Sequence, residues 1–122
     1  MTKSSSIVGT LIYIHFGPIV WALHLGFSYA LHAAICEAGE RLPLSPTALP
    51  WLLGAGTAAA GLAVIVGLLF PDLVGTPLHA ARAGQTGAFV TSLMRFLALL
   101  SLFGVGYFGL SMLMVPICLP LR

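Results

Sequence analysis

The chain has 122 residues, of which 59% are hydrophobic and only 7% are charged, and its formal net charge is +2. This composition excludes an ordinary water-soluble domain, which would show more polar surface, and it offers no cluster of basic residues for a nucleic acid. The apolar residues fall into three runs separated by Pro, Gly and charge. Each run reaches the ~20 residues that cross a bilayer, so we predict an all-α, integral membrane three-helix bundle, a single membrane domain over residues 1–122.

Helix 1 is predicted over residues 7 to about 35, helix 2 over 51 to about 70, and helix 3 over 89 to about 115. Pro18 predicts a kink in helix 1, because proline removes one backbone hydrogen bond and clashes with the preceding turn. Basic residues are slightly more numerous on the N-terminal side, with Lys3, Arg82 and Arg95 against Arg41 and Arg122. The positive-inside rule therefore predicts that the N-terminus lies on the cytoplasmic side and the C-terminus on the opposite side, which is periplasmic if the membrane is a bacterial inner membrane.

A polar stripe runs along helix 1 at intervals of four residues. Its members are His24, Ser28, His32 and Cys36. A polar side chain deep in a span is costly unless it contacts protein or a cofactor, so we expect the stripe to lie in a helix interface. For His24 two interpretations stay open: a structural hydrogen bond, or an axial ligand of haem b or a pigment with Trp21 beside it. Helices 2 and 3 contain no second His, which excludes two-histidine haem ligation within one chain.

Small residues in helices 2 and 3 predict close helix contacts, because they let two backbones approach within a membrane. In helix 2 they recur every four residues, at Ala59, Ala63 and Gly67. In helix 3 they are Gly104, Gly106 and Gly109 of the motif GVGYFG. The glycines of helix 3 have the spacing of a nucleotide-binding loop. Because they lie inside an apolar span, we interpret them as a close helix contact instead.

The two cysteines, Cys36 and Cys118, fall near the ends of helices 1 and 3. Two crossings separate these ends, so both cysteines lie on the same side of the membrane. On a periplasmic side we predict a disulfide that closes a loop of about 80 residues and contributes about 4 kcal/mol in the chain-entropy model. The alternative is two independent small apolar residues.

Arg95 lies one to two turns inside helix 3, where its long side chain can reach the headgroups. We expect a contact with a lipid phosphate, and the alternatives are an ion pair in a larger complex or one with Asp72. The three acidic residues all fall outside the predicted spans, which disfavours an ion pathway. No catalytic or metal-ligand motif occurs in the sequence, so we expect neither catalytic residues nor a metal site.

Short motifs form a pattern that covers most of the chain. They are Pro18, Trp21, His24, Tyr29 and Cys36 in helix 1, MRF at Met94 to Phe96, and the terminal Pro116, Ile117 and Cys118. This pattern resembles a group of small three-helix proteobacterial membrane proteins that are often encoded beside haem-copper cytochrome c oxidase genes. The resemblance implies association with a respiratory oxidase and assigns no residue to a reaction.

The expected function is a non-catalytic accessory subunit of a bacterial respiratory complex, in first place a terminal cytochrome c oxidase. Other membrane subunits and phospholipid are the expected partners, in a hetero-oligomer rather than a homo-oligomer. Two alternatives stay open: a membrane anchor that binds haem b, a pigment or a quinone with His24 as axial ligand, and a small homo-oligomeric transporter or channel subunit. No cofactor is expected in the chain's own right.

Overall fold

The computed structural model of the chain describes residues 6–38 and 47–114. Its helices, in chain order, are α1 (Ile7–Ile14), α2 (Phe16–Ala38), α3 (Ala48–Leu69), α4 (Pro71–Gly75) and α5 (Gly84–Met114). Three of them, α2, α3 and α5, are long and apolar enough to cross a membrane. Neither described range contains a strand. The predicted all-α class and its three candidate spans are confirmed, whereas the side of the membrane on which each terminus lies stays a prediction.

Helix 1 of the prediction corresponds to α1 together with α2, helix 2 to α3, and helix 3 to α5. α3 begins three residues before its predicted start, and α5 begins at Gly84, five residues before. The first turn of α5 has the sequence GQTG. Because this turn is polar, a helix boundary predicted from hydrophobicity excludes it. The short helix α4 lies in a segment expected to be a loop, and Pro71 at its first position favours helix initiation there.

The first span is interrupted at His15, between α1 and α2. In an unbroken helix, the carbonyl of Ile14 would accept a hydrogen bond from residue 18. Pro18 has no N–H, and its ring clashes with that carbonyl, so the interruption lies at the turn that proline disrupts. The imidazole Nδ1 of His15 donates to the carbonyl oxygen of Leu11 at 2.9 Å. The helix continues beyond the break, with the N–H of Ile19 donating to the carbonyl of His15.

Hydrogen bonds from two backbone N–H groups fasten α1 to the segment that follows α4. Ser6 caps α1 with its hydroxyl, which accepts from the N–H of Gly9 at 3.1 Å. The N–H of Ser6 donates to the carbonyl of His79 at 3.0 Å, and the N–H of Ala81 donates to the hydroxyl of Thr10 at 3.0 Å. The start of the chain and the α4 segment therefore lie together at one end of the bundle.

Two apolar clusters lie at opposite ends of the helices. The cluster near α4 is formed by Tyr13, Val90 and Met94, packed against residues that include Phe16, Val74 and Leu78. The cluster at the other end is formed by Ile35, Leu49 and Leu53, with Leu31 and Met112 against it. Between these two clusters, the interior contains polar side chains.

The helices approach closely where a glycine faces a bulky neighbour. The ring of Phe16 occupies the space beside Gly67, and the side chain of Thr57 occupies the space beside Gly109. A Cβ added to Gly17 would lie 2.6 Å from the Cα of Ala98. Each pair of spans, α2 with α3, α3 with α5, and α2 with α5, therefore contains a close approach at a glycine, and the one at Gly17 is against the backbone of the neighbouring helix.

Two glycines of α5 provide a matched test of this packing. Gly109→Ala places a methyl group against the rigid Thr57 side chain and is expected to destabilise the bundle by about 1–3 kcal/mol. Gly106 has open space around its Cβ position, so Gly106→Ala is expected to be neutral or to stabilise by up to about 1 kcal/mol through helix propensity. Unfolding of both variants by denaturing detergent measures the difference, and equal stabilities would contradict the α3–α5 contact.

Candidate functional site

His24 lies in the interior of the bundle at mid-span depth. It is 4% exposed, although it belongs to an apolar helix. Thr57, whose hydroxyl contacts the His24 imidazole, is the tenth of the 22 residues of α3, a helix about 33 Å long. If α3 crosses the bilayer, His24 therefore lies near the midplane, where a polar group is most costly.

The imidazole of His24 contacts both of the other spans. Its Nε2 lies 3.5 Å from the hydroxyl oxygen of Thr57, and that hydroxyl donates to the carbonyl of Leu53 at 2.8 Å. Because the Thr57 proton is used in this way, we infer that the histidine is the donor, with its proton on Nε2. On the α5 side, the ring of Phe108 packs edge-on against the imidazole with centroids 6.0 Å apart. His24 thus joins all three spans.

The rest of the polar stripe extends from His24 along α2. Ser28 is 1% exposed, and His32 and Cys36 are half-buried. The Nδ1 atoms of His24 and His32 are buried without a hydrogen-bond partner in the part of the chain that the structure describes. Cys36 takes part in a disulfide. Its predicted partner, Cys118, lies outside the described residues, so the pairing stays a prediction.

The surroundings of His24 do not fit a haem. An axial ligand needs a macrocycle placed directly at the coordinating nitrogen. Here Nε2 faces Thr57, Phe108 covers the imidazole from α5, and the side chain is 4% exposed. A porphyrin at this position would require the spans to separate.

The small residues lie in different surroundings. Gly67 and Gly109 are buried in helix contacts, whereas Ala59 and Ala63 are exposed on the outer face of α3. Gly104 lies against the indole of Trp21: a Cβ there would be 2.9 Å from Nε1. Gly106 is exposed. The close helix contacts predicted for the exposed positions therefore stay predictions.

The charged residues near α4 form a pair that the sequence did not indicate. Arg82 makes an ion pair with Asp72 and donates to the hydroxyl of Thr76 at 3.0 Å. Both acceptors belong to α4 or to its C-terminal end, so Arg82 holds this helix against the start of α5. Arg95 is exposed on α5, and its predicted contact with a lipid phosphate or a partner stays a prediction.

A seven-residue repeat on α5, not noted in the sequence, produces a continuous apolar face. Large apolar residues recur there at alternating intervals of four and three. They are Phe89, Leu93, Phe96, Leu100, Phe103, Tyr107, Leu110 and Met114, which we call the α5 outer seam. All of them except Leu93 are exposed, and Phe103 and Tyr107 are each 78% exposed. The repeat was visible in the sequence, but an apolar span conceals such a pattern because nearly every position is apolar.

Within the two described ranges, no group of three His, Cys, Asp or Glu side chains is placed to hold a metal ion. The class of protein that the fold defines is a helical bundle with three helices that are long and apolar enough to cross a membrane. No protein-family model, curated protein or solved structure matches the chain. The resemblance to proteins encoded beside oxidase genes stays a prediction.

Thr57→Val tests the central hydrogen bond, because valine keeps the shape of threonine and removes its hydroxyl. The 3.5 Å contact is long, so we expect the free energy of unfolding to fall by about 0.5–1 kcal/mol. Thr57→Ser retains the hydroxyl but removes the methyl group that packs beside Gly109, so it measures the packing contribution separately. In a His24→Phe background, Thr57→Val should lower the free energy of unfolding by a smaller amount. A loss of equal size in both backgrounds, measured by detergent unfolding, would show that Thr57 and His24 do not interact.

Proposed function

We propose that this protein is a non-catalytic accessory subunit of a multi-subunit membrane complex in a bacterial respiratory chain. The complex that we propose is a terminal cytochrome c oxidase. The observation that carries the proposal is the α5 outer seam, which extends along nearly the whole of a 31-residue helix. The chain's own helices cover the opposite face of α5 and leave this one uncovered.

The spacing of the seam suits a helix of another subunit. Side chains that repeat every 3.5 residues stay on one side of a helix that crosses its neighbour at a shallow left-handed angle. In a membrane, such packing is favoured by van der Waals contact, since both surfaces are already removed from water. Large rings such as those of Phe103 and Tyr107 provide extensive contact surface for this purpose.

The polar side chains of the spans support a structural role. His24 contacts Thr57, Ser101 donates to the carbonyl of Leu97, and Ser111 donates to the carbonyl of Tyr107. Each of these groups is therefore engaged in a hydrogen bond within the bundle. The respiratory part of the proposal rests on the resemblance in the sequence, including Trp21, His24 and the MRF motif.

The proposal is tested by affinity purification of a tagged chain from its native membrane in mild detergent. We expect a cytochrome-bearing membrane complex to copurify, identified by its Soret absorption and by mass spectrometry. The double substitution Phe103→Ala and Tyr107→Ala should reduce the recovery at least tenfold, because it removes two large contact residues of the seam. Leu62→Ala and Leu69→Ala on α3 replace residues of similar exposure and should leave the recovery unchanged.

Three outcomes would contradict the proposal. Recovery of the chain by itself or as a homo-oligomer would contradict the accessory role. Recovery of a complex without cytochromes would contradict the respiratory assignment. If the α3 substitutions reduce the recovery of the complex as much as the seam substitutions do, the seam is not the docking surface.

A further inference from the structure

A second feature of the fold is a groove between α2 and α5. Its volume is about 290 Å³, and its lining is almost entirely apolar. The lining residues are Pro18, Trp21, Leu97, Leu100, Ser101 and Gly104. The absence of a side chain at Gly104 leaves room for the edge of the Trp21 indole, which forms one wall.

The groove lies deep within the span. Trp21 precedes His24 by three residues, which is about 4.5 Å along the helix. Since His24 lies near the middle of the bundle, the indole is also close to the midplane. Tryptophan in membrane proteins is enriched instead at the two interfaces, where its N–H meets water and headgroups.

One polar group of the groove, the indole N–H of Trp21, has unused hydrogen-bonding capacity. The indole N–H of Trp21 donates to no acceptor in residues 6–38 or 47–114. A donor at this depth gains from an acceptor because hydrocarbon provides none. Ser101 is 7% exposed, and its hydroxyl donates to the carbonyl of Leu97 at 2.8 Å, so its proton is already used within the helix.

We propose that this groove binds the head group of a membrane quinone, with the Trp21 N–H donating to a ring carbonyl and the apolar walls holding the ring. A quinone combines a planar apolar ring with a carbonyl acceptor, and its long apolar tail keeps it within the bilayer. The ester carbonyls of a phospholipid lie at headgroup depth and do not reach the midplane. The volume is at the lower limit of the ~300–1,000 Å³ of small-molecule sites, which suits a single ring and excludes a porphyrin. The inference goes beyond the accessory role and does not depend on it.

Fluorescence of Trp21 provides the test. The chain has two tryptophans, so Trp51→Phe leaves Trp21 as the sole emitter. This variant, purified in phosphatidylcholine nanodiscs, is titrated with a decyl-substituted benzoquinone. We expect saturable quenching of Trp21, whereas Trp51 in a Trp21→Phe variant should show only the linear quenching of random collisions. Excess decylbenzene, which has the same tail and no carbonyl, should not displace the quinone.

Two glycines provide matched controls for the position of the site. Gly104→Leu fills the wall beside Trp21 and should abolish the saturable phase, whereas Gly106→Leu adds the same bulk into open space and should retain it. Because Gly104→Leu can also disturb the fold, direct binding of radiolabelled quinone to Trp21→Phe is measured as well. Loss of the N–H should weaken binding about tenfold.

The proposal is overturned by any of four results. These are linear quenching of Trp21, displacement by decylbenzene, loss of binding in Gly106→Leu as well as in Gly104→Leu, and unchanged affinity in Trp21→Phe. All of these measurements use the isolated chain. If the isolated chain does not bind the quinone, the proposed accessory role is not contradicted. If no respiratory complex copurifies, the proposed quinone site is not contradicted.

Discussion

The arrangement of the three spans depends on the need to shield one histidine from hydrocarbon. His24 lies at mid-length of the three helices, which is near the midplane if they cross a bilayer, and its imidazole is enclosed by Thr57 from α3 and Phe108 from α5. A bilayer provides little hydrophobic driving force to bring apolar helices together, so polar contacts and close packing determine which faces meet. The His24–Thr57 contact sets the rotation of α2 and α3. The same Thr57 side chain packs at Gly109, which sets the position of α5.

This constraint separates an inner polar face of the bundle from its outer apolar surface. The stripe from His24 through Ser28 lies inside, and the α5 outer seam lies outside. The two proposals use different parts of that outer surface. The seam is a broad face suited to a helix of another subunit, whereas the groove at Trp21 is a narrow recess suited to a single ring. Leu100 belongs to both, so a docked helix would lie next to the mouth of the groove.

The sequence predicted the number and class of the spans because the length of an apolar run is a property of the chain alone. It also located the break in the first span, since the effect of Pro18 on the preceding turn is local. The neighbours of His24 could not be predicted from the sequence. Thr57 looks like an ordinary helical residue, and which side of an apolar helix turns inward is not encoded in hydrophobic periodicity when lipid surrounds the bundle. For the same reason, Gly109 and Gly106 could not be distinguished, although one is buried and the other exposed.

The central claim is that His24 donates a hydrogen bond from Nε2 to Thr57 inside the bundle. Solid-state ¹⁵N NMR of ring-labelled histidine in lipid bilayers tests it most directly, with the His24 signals assigned by their loss in His24→Phe. We predict a protonated Nε2 and a non-protonated Nδ1, with the Nε2 signal shifted by Thr57→Val. A proton on Nδ1 with a bare Nε2, or an Nε2 signal unaffected by Thr57→Val, would contradict the account.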